Sequence, residues 1–405
     1  MLKTREVTAR PTTGRFAFPL LAYAFAAVMI GTTMPSPMYA LYAERLHFAV
    51  LTTSVVFATY AAGVLAALLV FGSWSDAVGR RPVLFAGIGF AVLSGIVFLV
   101  ADSVGVLLIG RVLSGLSAGL FTGTATAAVI EAAPEEWKSR AAAVASMANI
   151  GGLGLGPFIA GALVQYAPSP LHLSFVLHLA LLTLAAVAVA VVPETSKRQG
   201  RIGFQRLAVP REARAVFVPA AIAAFCGFAV MGLFNAVVPT FVALEIGIPN
   251  HFLGGFMVTT IFGASAVTQL FAVWIPPRLA VAVGSAVLIV GLAVLAAALW
   301  VASLPALIAA GVIAGVGQGI SFGRGLAAIA ERTPQQRLAE VSSTYFVVAY
   351  VGISLPVIGD GFAAQIWGLR EAGVAFAVAA AVLVSLCLAL IVWTESRSRN
   401  LSRTT

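Results

Sequence analysis

Twelve apolar runs, each long enough to cross a bilayer, take up most of this 405-residue chain, and they leave few folds open to it. A hydrocarbon core needs roughly 20 apolar residues per helix, so twelve spans joined by short loops use nearly the whole sequence. Composition agrees, because 60% hydrophobic and 10% charged residues are too few polar side chains to cover a water-soluble globule. A sliding apolar window places helices near 16–43, 50–73, 81–101, 105–130, 140–165 and 171–193, then near 215–244, 252–274, 278–300, 303–329, 340–366 and 369–394. Residues 194–214, with Lys197, Arg198, Arg201, Arg211 and Arg214 among them, form the longest polar connection. They separate a first unit, 1–193, from a second, 215–405, each with six helices. The expected fold is an all-α membrane protein of twelve transmembrane helices in two six-helix bundles.

The formal net charge of +9 does not point to nucleic acid, because the basic residues are dispersed in short loops where they act as topology determinants. With both termini placed in the cytoplasm, twenty Lys and Arg fall inside and only Arg45 and Arg370 outside, while Arg111 and Arg324 lie within helices. That asymmetry sets the expected orientation and agrees with an even number of spans. Cys226 and Cys387 both sit in apolar runs, which offers neither a disulfide framework nor a metal cluster. Residues 1–15 are polar and basic, and the apolar run after them is too long for a signal-peptide core, so it reads as an uncleaved first helix.

An internal repeat relates the two units. An offset of 200 residues aligns the fourth run with the tenth: Gly115 with Gly315, Gly119 with Gly319, Gly123 with Gly323, Glu131 with Glu331 and Pro134 with Pro334. Small-residue matches come cheaply in a chain this rich in alanine and glycine, whereas the Glu and Pro matches do not. After one residue of drift Pro157 answers Pro356, so the two bundles are expected to be pseudo-symmetric parallel repeats.

Between the second and third runs lies Gly72-Ser73-Trp74-Ser75-Asp76-Ala77-Val78-Gly79-Arg80-Arg81. A loop this short makes its flanking helices antiparallel neighbours, and its arginines mark the cytoplasmic side. Gly72 lets a backbone approach closely, Gly79 permits the turn, and Asp76 is free to pair with an arginine or a helix dipole. The pattern Gly-x-x-x-Asp-x-x-Gly-Arg-Arg resembles the loop between helices 2 and 3 of the major facilitator superfamily of transporters. Arg111-x-x-x-Gly115 resembles the helix 4 motif of that superfamily, with Ser114 where many relatives have glutamine; the resemblance implies a role in a proton path or in binding an anionic group. An arginine at that depth costs roughly 2.5–3.5 kcal/mol on insertion scales and must face a cavity or a partner unless it snorkels to the surface. In the fifth run, Gly152-x-x-x-Gly156-Pro157-x-x-Ala160-Gly161 is similar to the helix 5 signature of exporters that exchange drugs or metabolites against protons, with Ala160 replacing the usual glycine. Its glycines admit another helix to backbone contact, and its proline makes a bend that two conformations can use.

The resemblance implies a transporter rather than an enzyme, and the chain holds neither an Asp-rich motif nor an HExxH pair. It implies alternating access by two rocking bundles, powered by the proton motive force with no cofactor and no metal. The expected setting is a bacterial cytoplasmic membrane, the expected partners are the bilayer and a small-molecule substrate, and the expected state is a monomer. Export of a small amphiphilic drug or metabolite is the leading reading; an uptake symporter or facilitator for a sugar or organic acid is the alternative. Proton coupling needs a group that changes charge within the field, and the first run has no carboxylate among its polar positions around a Pro35-Ser36-Pro37 break, which is expected to widen the helix into the cavity. The candidates for proton coupling or substrate charge are Arg111, Asp360 and His178; Asp360 falls about 30 Å along the eleventh helix, near the outer interface. Arg324, near the inner end of the tenth run, is expected to snorkel. A cavity near the midplane is expected to be lined by Thr32, Ser36, Tyr39, Asn149, Phe225, Phe228, Asn235, Gln269, Gln318, Tyr345 and Tyr350. The scarcity of acids in the membrane favours a neutral or anionic substrate over an obligate cation. Gating falls to Gly72, Asp76, Gly79, Arg80 and Arg81 together with Gly152, Gly156, Pro157 and Gly161. Asp76 and Arg80 are expected to latch onto the start of the eleventh helix when the cytoplasmic side is closed.

Overall fold

Backbone N–H and C=O groups cannot be left unpaired in hydrocarbon, so apolar runs of this length fold as helices, which satisfy those groups within the segment. The computed structural model describes residues 14–196, 198, 202–334 and 337–401. Lys3, Arg5, Arg10, Lys197, Arg201 and Arg403, and the side chains of Arg15, Arg278, Arg397 and Arg399, lie outside that description. Among the described residues twelve helices are long and apolar enough to span a membrane, and there is no strand. They are α1 (Gly14–Thr33), α2 (Val50–Phe71), α3 (Arg80–Leu99), α4 (Val104–Ala132), α5 (Ala141–Tyr166) and α6 (Leu173–Val191). The second set is α7 (Arg211–Ala236), α8 (His251–Phe271), α9 (Pro277–Trp300), α10 (Leu304–Glu331), α11 (Leu338–Trp367) and α12 (Leu369–Leu401).

The windows read from the sequence match these helices to within a few residues except at three places. Helix α1 stops at Thr33 because Pro35 and Pro37 have no N–H to continue its ladder; a 3-10 turn, Ser36–Met38, leads into a short helix, Tyr39–Leu46. The expected single helix over 215–244 is also broken: α7 begins earlier, ends at Ala236, and resumes as Val238–Leu244 with Pro239 in its first turn. Helix α12 runs on to Leu401, past the apolar stretch that ends at Trp393.

Helices α1–α6 pack on one another, as do α7–α12, and the two groups meet mainly where α5 lies against α8 and α2 against α11. The glycines of the repeat explain how helices come this close without a hydrophobic driving force between them. A Cβ on Gly115 would lie 2.1 Å from the Tyr60 carbonyl of α2, and one on Gly315 would lie 2.3 Å from the Ile261 carbonyl of α8. Matched positions in α4 and α10 therefore admit matched partners. The segment joining the halves lies against the first of them, with the Gln205 N–H donating to the Leu69 carbonyl at 2.8 Å and Ser73 Oγ to the Gly203 carbonyl at 2.8 Å.

Candidate functional site

One end of the bundle carries an arginine network. The loop after α2 forms a short helix, Trp74–Val78, and Gly79 turns the chain at φ 111° into α3. That positive φ strains any residue with a Cβ, which would also have to displace Glu194 Oε2 from 2.5 Å; a Cβ on Gly72 would meet the Leu68 carbonyl at 2.5 Å. Arg80 pairs with Asp76 at 2.6 Å and with Glu131, in the last turn of α4, at 2.9 Å. Arg81 donates to the Val189 and Ala190 carbonyls at the end of α6, at 3.2 and 2.7 Å. Glu194 accepts the backbone N–H groups of Arg80 and Arg81 at 2.8 and 3.2 Å, so it caps α3. Burial works against charge on Glu194, yet the N–H groups of Ser196, Arg80 and Arg81, with Arg198 nearby, outweigh it and hold the carboxyl below its ordinary range. All of these bonds lie within the first half and the start of the segment that follows it. Among the described residues Asp76 pairs with Arg80 and not with the start of α11, so the expected latch is unmade in this conformation.

The halves seal against each other toward the far end. Ser36 Oγ, in the break after α1, donates to Asn235 Oδ1, beside the break after α7. A Cβ on Gly361 of α11 would lie 2.4 Å from Ser54 Oγ of α2, and one on Gly255 of α8 would lie 2.1 Å from the Pro157 carbonyl of α5. Gly161 faces the His251 carbonyl in the same seam, while Gly152 and Gly156 turn the other way and admit α1 at the Ala26 and Ile30 carbonyls. Pro157 lies inside an unbroken α5, and its carbonyl faces Gly255 at the seam. Toward the Arg80 end Ser146 and Gln269 still bridge α5 and α8, but a cavity of about 240 Å3 opens between α4 and α5 on one side and α8, α10 and α11 on the other. At the far end a separate vestibule of about 390 Å3, with Tyr39 and Glu44 in its wall, reaches Ser36.

Arg111 occupies the middle of the first half with no exposed surface. Its Nη1 donates to the Thr32 carbonyl in the last turn of α1, and its guanidinium carbon sits 4.9 Å from the Tyr60 ring centroid and 5.8 Å from that of Phe57. Neither a snorkelling path nor a carboxylate accounts for it: a helix C-terminus and two ring faces hold the charge. From Tyr60 a column of rings crosses into the second half, Tyr60 to Tyr350 at 6.2 Å, Tyr350 to Phe228 at 6.3 Å and Phe228 to Phe322 at 4.9 Å. Phe322 lines the cavity, so the column links Arg111 to it.

Of the residues expected around one midplane cavity, Asn149 and Gln269 line the opening toward the Arg80 end, whereas Ser36 and Tyr39 line the vestibule. Thr32 bonds the Met29 carbonyl, and its own carbonyl holds Arg111. Asn235 closes the seam. Tyr345 donates to the Phe322 carbonyl at 3.3 Å, and Gln318 accepts from Ser265 within the second half. Phe225 presents its backbone to Gly352, and neither cavity includes it. His178 belongs to packing: its Nε2 lies 3.1 Å from the Ala27 carbonyl and its ring fills the space over Gly31, inside the first half and away from the seam. Asp360 is only 5% exposed, not at an aqueous interface as its depth suggested, and among the described residues neither carboxylate oxygen has a partner. Arg324 was expected to snorkel; it lines the cavity instead, with Nε donating to the Ile275 carbonyl at 3.0 Å. Thr126, Ser146, Phe322 and Phe346 are cavity residues that the sequence reading missed, and only the phenylalanines carried a signal, as aromatics one helical turn from Gln318 and Tyr350.

Comparison with known proteins agrees with this architecture. The model of the Major Facilitator Superfamily matches residues 21–355. Multidrug resistance protein MdtM of Salmonella typhimurium is 27% identical over 208 residues, which are 51% of this chain and 50% of that one. The class E tetracycline resistance protein of Escherichia coli is 32% identical over 107 residues, 26% of each chain. The chain spans about a quarter to a half of the length of the curated relatives it matches. Among solved structures, the human organic anion transporter MFSD10 (TETRAN) superposes with a TM-score of 0.69 at 16% identity, over 94% of this chain and all of that one, which is a likeness of fold.

Proposed function

This chain belongs to the major facilitator superfamily, and on that premise we propose that it is a proton-coupled exporter of small amphiphilic molecules working by alternating access. The observation that carries the reading is that Ser36–Asn235 and Gly255–Pro157 close the seam between the outer vestibule and a cavity on the Arg80 side, where Ser146–Gln269 is the bond still made between α5 and α8. The arginine-rich loops make the Arg80 end cytoplasmic, as expected of a protein in a bacterial cytoplasmic membrane, so this conformation loads from inside. The multidrug and tetracycline resistance relatives support export, at low identity and over part of their length.

Asp360 supplies the proton coupling in this reading. A carboxylate with no partner is too costly to bury as an ion, so Asp360 carries a proton while the far end is shut. Its neighbour Gly361 is where α11 meets Ser54 of α2, so opening that seam brings exterior water, and a proton, to the acid. Protonation from an acidic exterior then returns the carrier to the loading state, where substrate entry displaces the proton to the cytoplasmic side, so that one proton enters for each molecule exported. Each pH unit supplies about 1.4 kcal/mol per proton and each 100 mV about 2.3 kcal/mol per charge, enough for concentrative efflux. The test is proton movement in proteoliposomes with a preset pH gradient as amphiphilic drugs, sugars and organic acids are added one at a time. Protons are expected to move against an amphiphile. Protons moving with a compound would replace antiport by symport, and compounds equilibrating without proton movement would leave a facilitator.

A further inference from the structure

Among the described residues Arg324 is the one charged side chain lining the cavity that opens toward the Arg80 end, and no Asp or Glu lines it. Its Nε is fixed by the carbonyl of Ile275, the extended residue that follows the 3-10 turn Ala272–Trp274 after α8. Its two terminal nitrogens make no hydrogen bond or ion pair among the described residues, which leaves a planar fork of donors free at the cavity wall. A second polar group there also lacks a partner: Asn149 is 9% exposed, and its Oδ1 accepts nothing. Between these groups the wall is apolar and aromatic, with Phe322 and Phe346 stacked edge to face at 5.9 Å. The vestibule at the far end is lined by Glu44 and by no Lys or Arg.

We propose that this cavity takes an amphipathic organic anion, its carboxylate or sulfonate on the Arg324 fork, its apolar body against Phe322 and Phe346, and a hydroxyl or N–H donor on Asn149 Oδ1. Guanidinium binds such a group through two parallel charge-assisted bonds, and a cavity with no acid sets no repulsion against it. A cation finds no partner in the same wall. The proposal rests on reading the cavity as the loading site of an exporter, and it gives that site its substrate class. Glu44 in the other vestibule would weaken the hold on an anion after the carrier switches, which favours release at that end.

The experiment is equilibrium binding to the full chain in lipid nanodiscs, with protein-free discs subtracted and no ion gradient present. The probes are anilinonaphthalene sulfonate and phenylnaphthylamine, which share the aromatic skeleton and differ in the sulfonate. The native chain is expected to bind the sulfonate about tenfold or more tightly than the amine. Arg324→Gln is expected to remove that preference and leave amine binding unchanged, while Arg324→Lys, which keeps the charge but not the fork, retains part of it. A sulfonate preference that survives Arg324→Gln overturns the proposal, as does a native chain that binds neither probe or a variant that loses both. No gradient enters the measurement, so failure of proton-driven export in proteoliposomes leaves this result standing, and failure here leaves proton coupling untouched.

Discussion

Arg111 is held by dipoles and ring faces rather than by a carboxylate, and that choice has consequences for stability and for transport. Its bonds to the Thr32 carbonyl and the ring of Tyr60 offset part of the cost of burying a charge, but Nε is left without a partner. Replacing a buried charge by an apolar side chain of similar length is often neutral or stabilising. Arg111→Met is therefore expected to leave the melting temperature in detergent unchanged or raise it, while transport falls about tenfold or more; a melting temperature several degrees lower would make Arg111 a packing residue. The sequence showed that Arg111 and Arg324 lie inside helices, because an arginine between apolar runs stands out. What it could not show is azimuth. Depth alone allowed Arg324 to reach water and placed Asp360 near an interface, whereas the face each residue turns to its neighbours puts the first in the cavity wall and the second out of water. His178 is the converse case, since a histidine in an apolar run reads the same whether it meets a cavity or the Ala27 carbonyl.

The elements that close the far end meet through missing side chains. Gly255 lets α8 touch the backbone of α5, so a methyl group there would collide with the Pro157 carbonyl, which cannot swing aside as a side chain could. Overpacking of this kind costs about 1–3 kcal/mol, and the collision is relieved when the seam opens. Gly255→Ala is expected to shift the carrier away from the closed far end and raise thiol labelling of Thr53→Cys, a buried vestibule residue, several-fold. Gly263→Ala, on the same helix with nothing within 4 Å, is the matched control and should leave labelling unchanged. Equal effects of the two would mean that the seam is not a steric contact. The helices themselves were legible, because apolar length is what lipid selects, and the fifth-run glycines announced close packing without saying against which helix. Gly152 and Gly156 turned out to serve α1, and Gly161 serves α8. The break after Ala236 escaped notice because Pro239 is a single proline, without the paired prolines that marked the break after Thr33.

At the scale of the whole molecule, a repeat in the chain becomes a carrier that must choose which end to open. Breaks after α1 and α7, in corresponding positions of the two halves, meet at Ser36 and Asn235, and glycines matched between α4 and α10 pack matched partners. The arginine network at the opposite end stays within the first half and the segment that follows it, so among the described residues no ion pair bridges the halves there while the cavity is open. The central claim is that protonation of Asp360 holds the far end shut. It is tested by pulsed electron-spin distance measurement between labels at Ala40→Cys and Leu244→Cys, both exposed residues of the far-end vestibule, in a chain whose buried Cys226 and Cys387 are replaced by alanine. A single short distance is expected at acid pH, a growing longer one as the pH rises, and in Asp360→Asn the short one throughout. The same distances at every pH in the parent chain, or an Asp360→Asn chain that still opens as the pH rises, would contradict the account.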